Sequence, residues 1–227
     1  MDRHIAYLQI PCFGIALAQA VEPALRNRPV VLAPLHTQRA AVLEASREAV
    51  QEGVRPGISI ELARRLCPSL RLIPPDLASV QAAHRTVQRT VLPFAPAWES
   101  IGLGTLFLDL TGTTRCLGPP IDTVSRLGRT LNRQQGLPSV IGLAGSKLVS
   151  QLAATSLAIP PHILSIQAGS EQPFLAPFPA AWLPGLHRHA QHMRASQILQ
   201  RLEDLNLRTM GDISAVPLMH LQSAFGA

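Results

Sequence analysis

A break at Gly102-Leu103-Gly104 separates two runs of strand-forming residues, Trp98 to Ile101 and Thr105 to Leu110, near the middle of a 227-residue chain. Two such runs joined by a short glycine-bearing link fold back on each other as a β-hairpin. Helical patterns flank it. From Asp76 to Leu92, the residues Leu77, Val80, Ala83, Val87 and Val91 share one face, and Arg85 and Arg89 take the other. After the hairpin, Ile121 to Gln134 reads as a helix carrying Arg126, Arg129 and Arg133, followed by a strand at Ser139 to Ala144 and a helix at Lys147 to Ser156. With an alternating strand at Ile5 to Ile10, stopped by Pro11 and followed by a helix start at Phe13 to Ala20, the order is strand, helix, hairpin, helix, strand, helix. That order predicts a split βαβ sheet in an α+β fold.

The stretch between the first helix and Asp76 predicts a small α/β lobe. Its pieces are a short strand at Pro29 to Pro34, a strand-like AAVLEAS, a helix over Arg47 to Gln51, a turn at Gly53 to Gly57, a helix at Ser59 to Leu66 and a strand at Arg71 to Ile73. Pro160 to Pro179, rich in proline and small residues, predicts a linker into a helical unit from Ala181 to Ala227. No internal repeat is evident.

Composition narrows the class. A 47% hydrophobic content suffices for folded cores. No uncharged apolar run approaches the roughly 18 residues a membrane span needs, and no signal peptide is visible, so a cytoplasmic location with no membrane partner is expected. Cys12, Cys67 and Cys116 are odd in number, widely spaced and form no CxxC pair, which argues for buried thiols rather than a disulfide framework or zinc module. Of the 20 basic residues only Lys147 is lysine, and the net charge is +6. An arginine-rich basic surface suits a polyanion, because guanidinium forks grip phosphate with paired hydrogen bonds.

At IAYLQIPCF, GVRPGISIELARRLCP, WESIGLGTLFLDLTG, LPSVIGLAGSKLVSQLAA and LNLRTMGDIS the chain resembles the Y-family, or translesion, DNA polymerases along essentially its whole length. The resemblance implies a palm over residues 1–18 and 76–163, fingers over 19–75, and a helix-hairpin-helix thumb over 164–227. It also implies that the chain ends where the thumb of relatives finishes, without a little finger or a clamp-binding tail. Polymerases of this kind work with two divalent ions roughly 3.5–4 Å apart, held by carboxylates. At the family's first-strand Asp stands Gln9, and at its next metal-linked Asp stands Pro11. The hairpin's Asp-Glu pair is Gly104 and Thr105, and Asp109 matches a family Asp that is no metal ligand. The aromatic that gates the sugar is Gly14, and the triphosphate-holding Tyr and Arg are Arg47 and Val50. Lys147 alone stands where a family triphosphate contact belongs.

This pattern is similar to the ImuB-type homologues of bacterial mutasomes. The resemblance then implies a chain that is not an enzyme and uses no cofactor. It would bind damaged or primer–template DNA and bring together an error-prone C-family DNA polymerase, a RecA-like accessory protein and the sliding clamp. Two rivals stand beside it: an active low-fidelity translesion DNA polymerase using Mg²⁺, and a pure protein-interaction module without DNA affinity.

DNA contact is expected from the helix-hairpin-helix elements, where backbone amides at a helix start meet phosphate oxygens. The candidates are Gly185 in Leu183-Pro184-Gly185-Leu186, and Arg208, Thr209 and Gly211 in a second hairpin. Arg64, Arg65, Arg126, Arg129, Arg133 and Arg201 read individually as solvated helix faces. His187, His189 and His192 form an H-x-H-x-x-H run without an acid or Cys nearby, and read as an exposed insertion rather than a metal site. Trp98 and Trp182 read as packing residues.

Overall fold

Strand β1 (Ile5–Gln9) carries an almost uniformly buried run, as a central strand covered on both faces does. Pro11 ends it, Cys12 takes a left-handed φ of 45°, and helix α1 (Phe13–Val21) starts at once. A 3-10 turn (Pro23–Leu25) leads to β2 (Val30–Leu32). Then come β3 (Glu44–Ala45), α2 (Arg47–Gln51), α3 (Ile60–Leu66), β4 (Arg71–Ile73) and α4 (Leu77–Val91). Serine or aspartate begins each of these three helices: Ser46, Ser59 and Asp76 accept the amides of Ala49, Leu62 and Ser79. The hairpin is β5 (Ala97–Gly102) and β6 (Thr105–Asp109). It is followed by α5 (Thr114–Leu117), α6 (Pro120–Gln135), β7 (Val140–Ala144), α7 (Lys147–Thr155) and β8 (His162–Ser165). The chain continues through α8 (Glu171–Leu175), a 3-10 turn (Ala180–Trp182), α9 (Met193–Asp204), α10 (Met210–Ala215) and α11 (Leu218–Phe225). This computed structural model describes residues 3–34, 40–157, 162–183 and 193–225.

Two sheets organise these elements. The larger runs β5-β6-β1-β7-β8, with β1 antiparallel to both neighbours and β8 parallel to β7; the smaller runs β3-β2-β4. One face of the large sheet presents Leu8, Leu106, Leu108 and Ile141 to the apolar stripes of α4 (Val87, Val91) and α6 (Val124, Leu127, Leu131), all buried. Each such leucine contributes on the order of 1.5–3 kcal/mol by leaving water. The other face buries Ile5, Tyr7, Phe107 and Val140 with Ala154 of α7. A smaller core joins Val31 and Val42 to Ala49, Val54 and Ala63 of the β3-β2-β4 lobe. Among the described residues, the C-terminal helices gather round three buried apolar residues, Ala180, Leu202 and Met210.

The mixed α and β fold agrees with the sequence pattern, and the departures are local. The stretch expected as a linker contains β8 and α8. His-Ile-Leu-Ser is too short and too flanked by proline to signal a strand, and it becomes one by pairing with β7 through the register Val140↔His162 to Leu143↔Ser165. AAVLEAS yields only a two-residue strand plus a bridge from Ala41 to Ser59. The thiols are free, but only Cys67 is buried; Cys12 and Cys116 are exposed. Trp182 stacks at a tilt on Phe178, 5.6 Å between centroids, as a packing residue would. Among the described residues, no helix is long and apolar enough to cross a membrane.

Candidate active site

The register of the large sheet brings the expected cradle positions together. Gln9, the last residue of β1, lies opposite Thr105 of β6 on one side and Val140 of β7 on the other. The Ile10 amide donates to the Gly104 carbonyl at 2.9 Å, so the hairpin turn is stitched to the end of β1. Pro11 follows directly, at the entry to α1.

Gly104 is held on three sides. Its φ is +69°, in the region where a side chain is strained, and a Cβ built there would lie 2.8 Å from Phe13 Cγ. Its N–H donates to His84 Nδ1 at 3.1 Å. His84 Nε2 in turn lies 2.9 Å from Ser100 Oγ on β5 and 3.0 Å from Gln88 Nε2 one helical turn on. Sequence reading did not single out His84. The signal was there: it sits four residues after Val80 and three before Val87, which puts a polar ring on the buried stripe of α4.

Gly14 is equally enclosed, since a Cβ there would lie 2.4 Å from Leu32 Cδ1 and 3.3 Å from a Glu44 oxygen. The Glu44 carboxylate accepts the Gly14 amide at 3.4 Å and the Ile15 amide at 3.1 Å. An internal anion therefore occupies the start of α1, where the helix's partial positive charge favours it. Although Cys12 as a residue is exposed, desolvation around its sulfur, and secondarily the Glu44 charge, push the thiol pKa up; that thiol donates to the Ala45 carbonyl at 3.3 Å. Lys147, the first residue of α7, is ion-paired with Glu99 of β5 and stands 5.1 Å from the centre of the Phe107 ring. Arg47 and Val50 are exposed on α2, and no hydrogen bond or ion pair among the described residues ties them to Gln9 or Thr105.

The donor set at these positions is poor in the ligands that a pair of magnesium ions takes. Hard divalent cations take carboxylate oxygens, and the cradle offers one amide (Gln9), one hydroxyl (Thr105), a proline and a glycine. The nearby acids are engaged elsewhere: Glu44 on α1, Glu99 on Lys147, and Asp109 as acceptor of the Thr111 amide at 2.9 Å. Desolvation raises the Asp109 carboxyl, yet hydrogen bonds from Thr111 and the Arg3 charge outweigh it and hold its pKa below the usual range. Among the described residues, no group of three or more His, Cys, Asp or Glu is placed to hold a metal. These four positions do not fit a metal pair.

The expected DNA contact at α10 is built differently. Thr209 and Asp212 form a capping box, with the Asp212 amide donating to Thr209 Oγ1 at 3.1 Å and the amides of Thr209 and Arg208 donating to Asp212 Oδ2 at 2.8 and 3.0 Å. The Met210 and Gly211 amides donate to the carbonyls of Phe178 and Ala176. Every amide at this helix start thus has an internal acceptor, and the exposed Arg208 side chain is what remains for phosphate. Gly185 and the three histidines of the H-x-H-x-x-H run lie outside the described residues.

Residues 8–155 match the model of the impB/mucB/samB family. The chain is 28% identical over 225 residues to DNA polymerase IV of Dehalococcoides mccartyi strain CBDB1, covering 99% of this chain and 55% of that protein. To DNA polymerase IV of Yersinia pestis strain Pestoides F it is 26% identical over 224 residues, 99% of this chain and 61% of the other. It superimposes on DinB from Sulfolobus solfataricus and on an insertion ternary complex of Dbh DNA polymerase, each with a TM-score of 0.81, 19% identity and coverage of 98% of this chain and 63% of the other. The chain thus spans little more than half the length of the curated relatives cited. The relatives correct the expectation of no enzymatic activity and no cofactor. They are named as DNA polymerases, one neighbour is a ternary complex, and polymerases work with divalent metal. By the match over residues 8–155, the chain belongs to the impB/mucB/samB family, within the Y-family DNA polymerase superfamily.

Proposed function

We propose that this chain forms the core of a translesion DNA polymerase that seats primer–template DNA against the β1–β6 cleft and extends it with low fidelity. The observation that carries the reading is the agreement in fold and sequence with DNA polymerases over nearly all of the chain. In this reading residues 1–18 and 76–163 are the palm, 19–75 the fingers and 164–227 the thumb. Gly14 stands at the position of the sugar gate, and Arg47 and Lys147 meet phosphate once Lys147 is released from Glu99. Arg208 grips the duplex backbone. Gln9, Pro11, Gly104 and Thr105 carry no carboxylate, so this cradle by itself offers a metal no anionic ligand. The likeness to ImuB-type homologues adds a recruiting role for an error-prone polymerase, a RecA-like protein and the clamp, testable by pull-down of the purified partners.

Fluorescence anisotropy of a labelled primer–template tests the DNA half of the reading. Affinity is expected to fall between about 50 and 200 mM salt, because cations that neutralise phosphates release counterions. Absence of binding at the lower salt would remove the DNA-binding reading.

A further inference from the structure

We propose that His84 is a positioning residue for the reaction cleft: its neutral imidazole accepts the Gly104 N–H and thereby sets the turn that carries Gly104 and Thr105 opposite Gln9. The functional part of this inference rests on the cleft reading above; the tautomer part does not.

The chemistry of the ring leaves one arrangement. A backbone N–H has only a proton to give, so the Nδ1 it meets at 3.1 Å must present its lone pair. A neutral ring then carries its single proton on Nε2, which faces Ser100 Oγ at 2.9 Å. Gln88 also faces Nε2, and its amide nitrogen and oxygen exchange places by a half-turn of the last torsion; the Nε2–H form requires the oxygen to point at the ring. A second proton on the ring would sit on Nδ1 and meet the Gly104 N–H head-on.

Three elements converge on this ring. His84 lies on α4, Ser100 on β5 and Gly104 in the β5–β6 turn, and the Phe13 ring of α1 stands edge-on at 6.3 Å. Phe13 in turn fills the space beside Gly104. No charged side chain is among the described hydrogen-bond partners of the imidazole. The Gly104 carbonyl is already tied to the Ile10 amide, so with His84 accepting the N–H both peptide groups that flank the Gly104 Cα are restrained. Acting through Gly104, His84 touches no reacting atom itself.

Imidazole ¹⁵N chemical shifts of the wild-type chain test the tautomer without any substitution. Nδ1 is expected to be pyridine-like and Nε2 pyrrole-like; the reverse pattern would overturn the proposal. His84→Asn keeps an acceptor near the Nδ1 position, whereas His84→Gln places its amide near Nε2 and leaves Gly104 without a partner. Hydrogen exchange at the Gly104 amide, measured relative to that of Leu108, is expected to rise about tenfold in His84→Gln, the scale of losing one hydrogen bond, and to stay within about threefold of wild type in His84→Asn. Unchanged protection in His84→Gln would overturn the inference. Primer extension should fall in the Gln variant and recover in the Asn variant. A wild-type chain that extends nothing would sink the polymerase reading, while the shifts and exchange rates would still decide the role of His84.

Discussion

The β1–β6 cleft and the start of α10 are both places where the sequence points to nucleic-acid chemistry, and they are built from different materials. The cleft rests on strands buried on both faces, with Gly104 and Gly14 enclosed by Phe13, Leu32 and Glu44. The α10 start rests on a capping box between the half-buried Thr209 and the exposed Asp212 and on two amides docked to the carbonyls of Ala176 and Phe178. One geometry is set by packing and the other by local hydrogen bonds. The cleft is therefore expected to tolerate almost no change of volume, and the α10 start to yield by small steps.

The largest contrast should come from the cores. Leu8→Ala, at a fully buried position of β1, is expected to cost about 3–4 kcal/mol in urea unfolding, while Leu202→Ala, in the thin C-terminal cluster, should cost about 2 kcal/mol. Equal losses would mean that the two regions do not differ in the way their packing suggests. Gly104→Ala follows: the positive φ and the 2.8 Å approach to Phe13 are expected to cost about 2 kcal/mol. At Gly211 the nearest atom to an added Cβ is the Ala176 carbonyl at 3.0 Å, so Gly211→Ala should lose about 1 kcal/mol. Thr209→Ala, which removes one half of the capping box, should likewise lose about 1 kcal/mol by the same measurement.

The smallest effects are the pH dependences, and they fall in separate windows. Burial lowers the His84 pKa, so the folded chain holds the ring neutral while the unfolded chain protonates near pH 6.5. Stability contributed by the neutral ring is present above that value and declines as pH falls below it toward the lower folded pKa. Hydrogen bonds from Thr209 lower the Asp212 pKa, so its contribution is present above about pH 4 and is lost only as pH falls through the folded value. Unfolding midpoints of the wild type and of Asp212→Asn, followed from pH 8 to 3, should separate the two. A loss near pH 6 that depends on Asp212 would contradict the assignment.

Much of the larger sheet was legible because its elements announce themselves locally: the apolar run of β1 stopped by Pro11, which is buried on both faces rather than alternating, the glycine-bracketed turn, and the one-sided stripes of α4 and α6. What was not legible depends on partners distant in sequence. His-Ile-Leu-Ser becomes β8 only by lying along β7, and Glu-Ala becomes β3 only by lying along β2. At the site, the juxtaposition of Gln9 with Gly104 and Thr105 followed from the motifs. The sequence did not show that Glu44 would reach the amides of α1, or that Lys147 would pair with Glu99, since these contacts cross between elements. His84 was missed because a histidine inside an apolar stripe looks like ordinary core until its acceptor atom is seen facing an amide.

Primer extension by the purified chain is the most direct test of the polymerase reading. A labelled primer on a template, with all four deoxynucleotides and either Mg²⁺ or Mn²⁺, is expected to lengthen in a template-dependent way. Bound primer–template that never lengthens with either metal would contradict it.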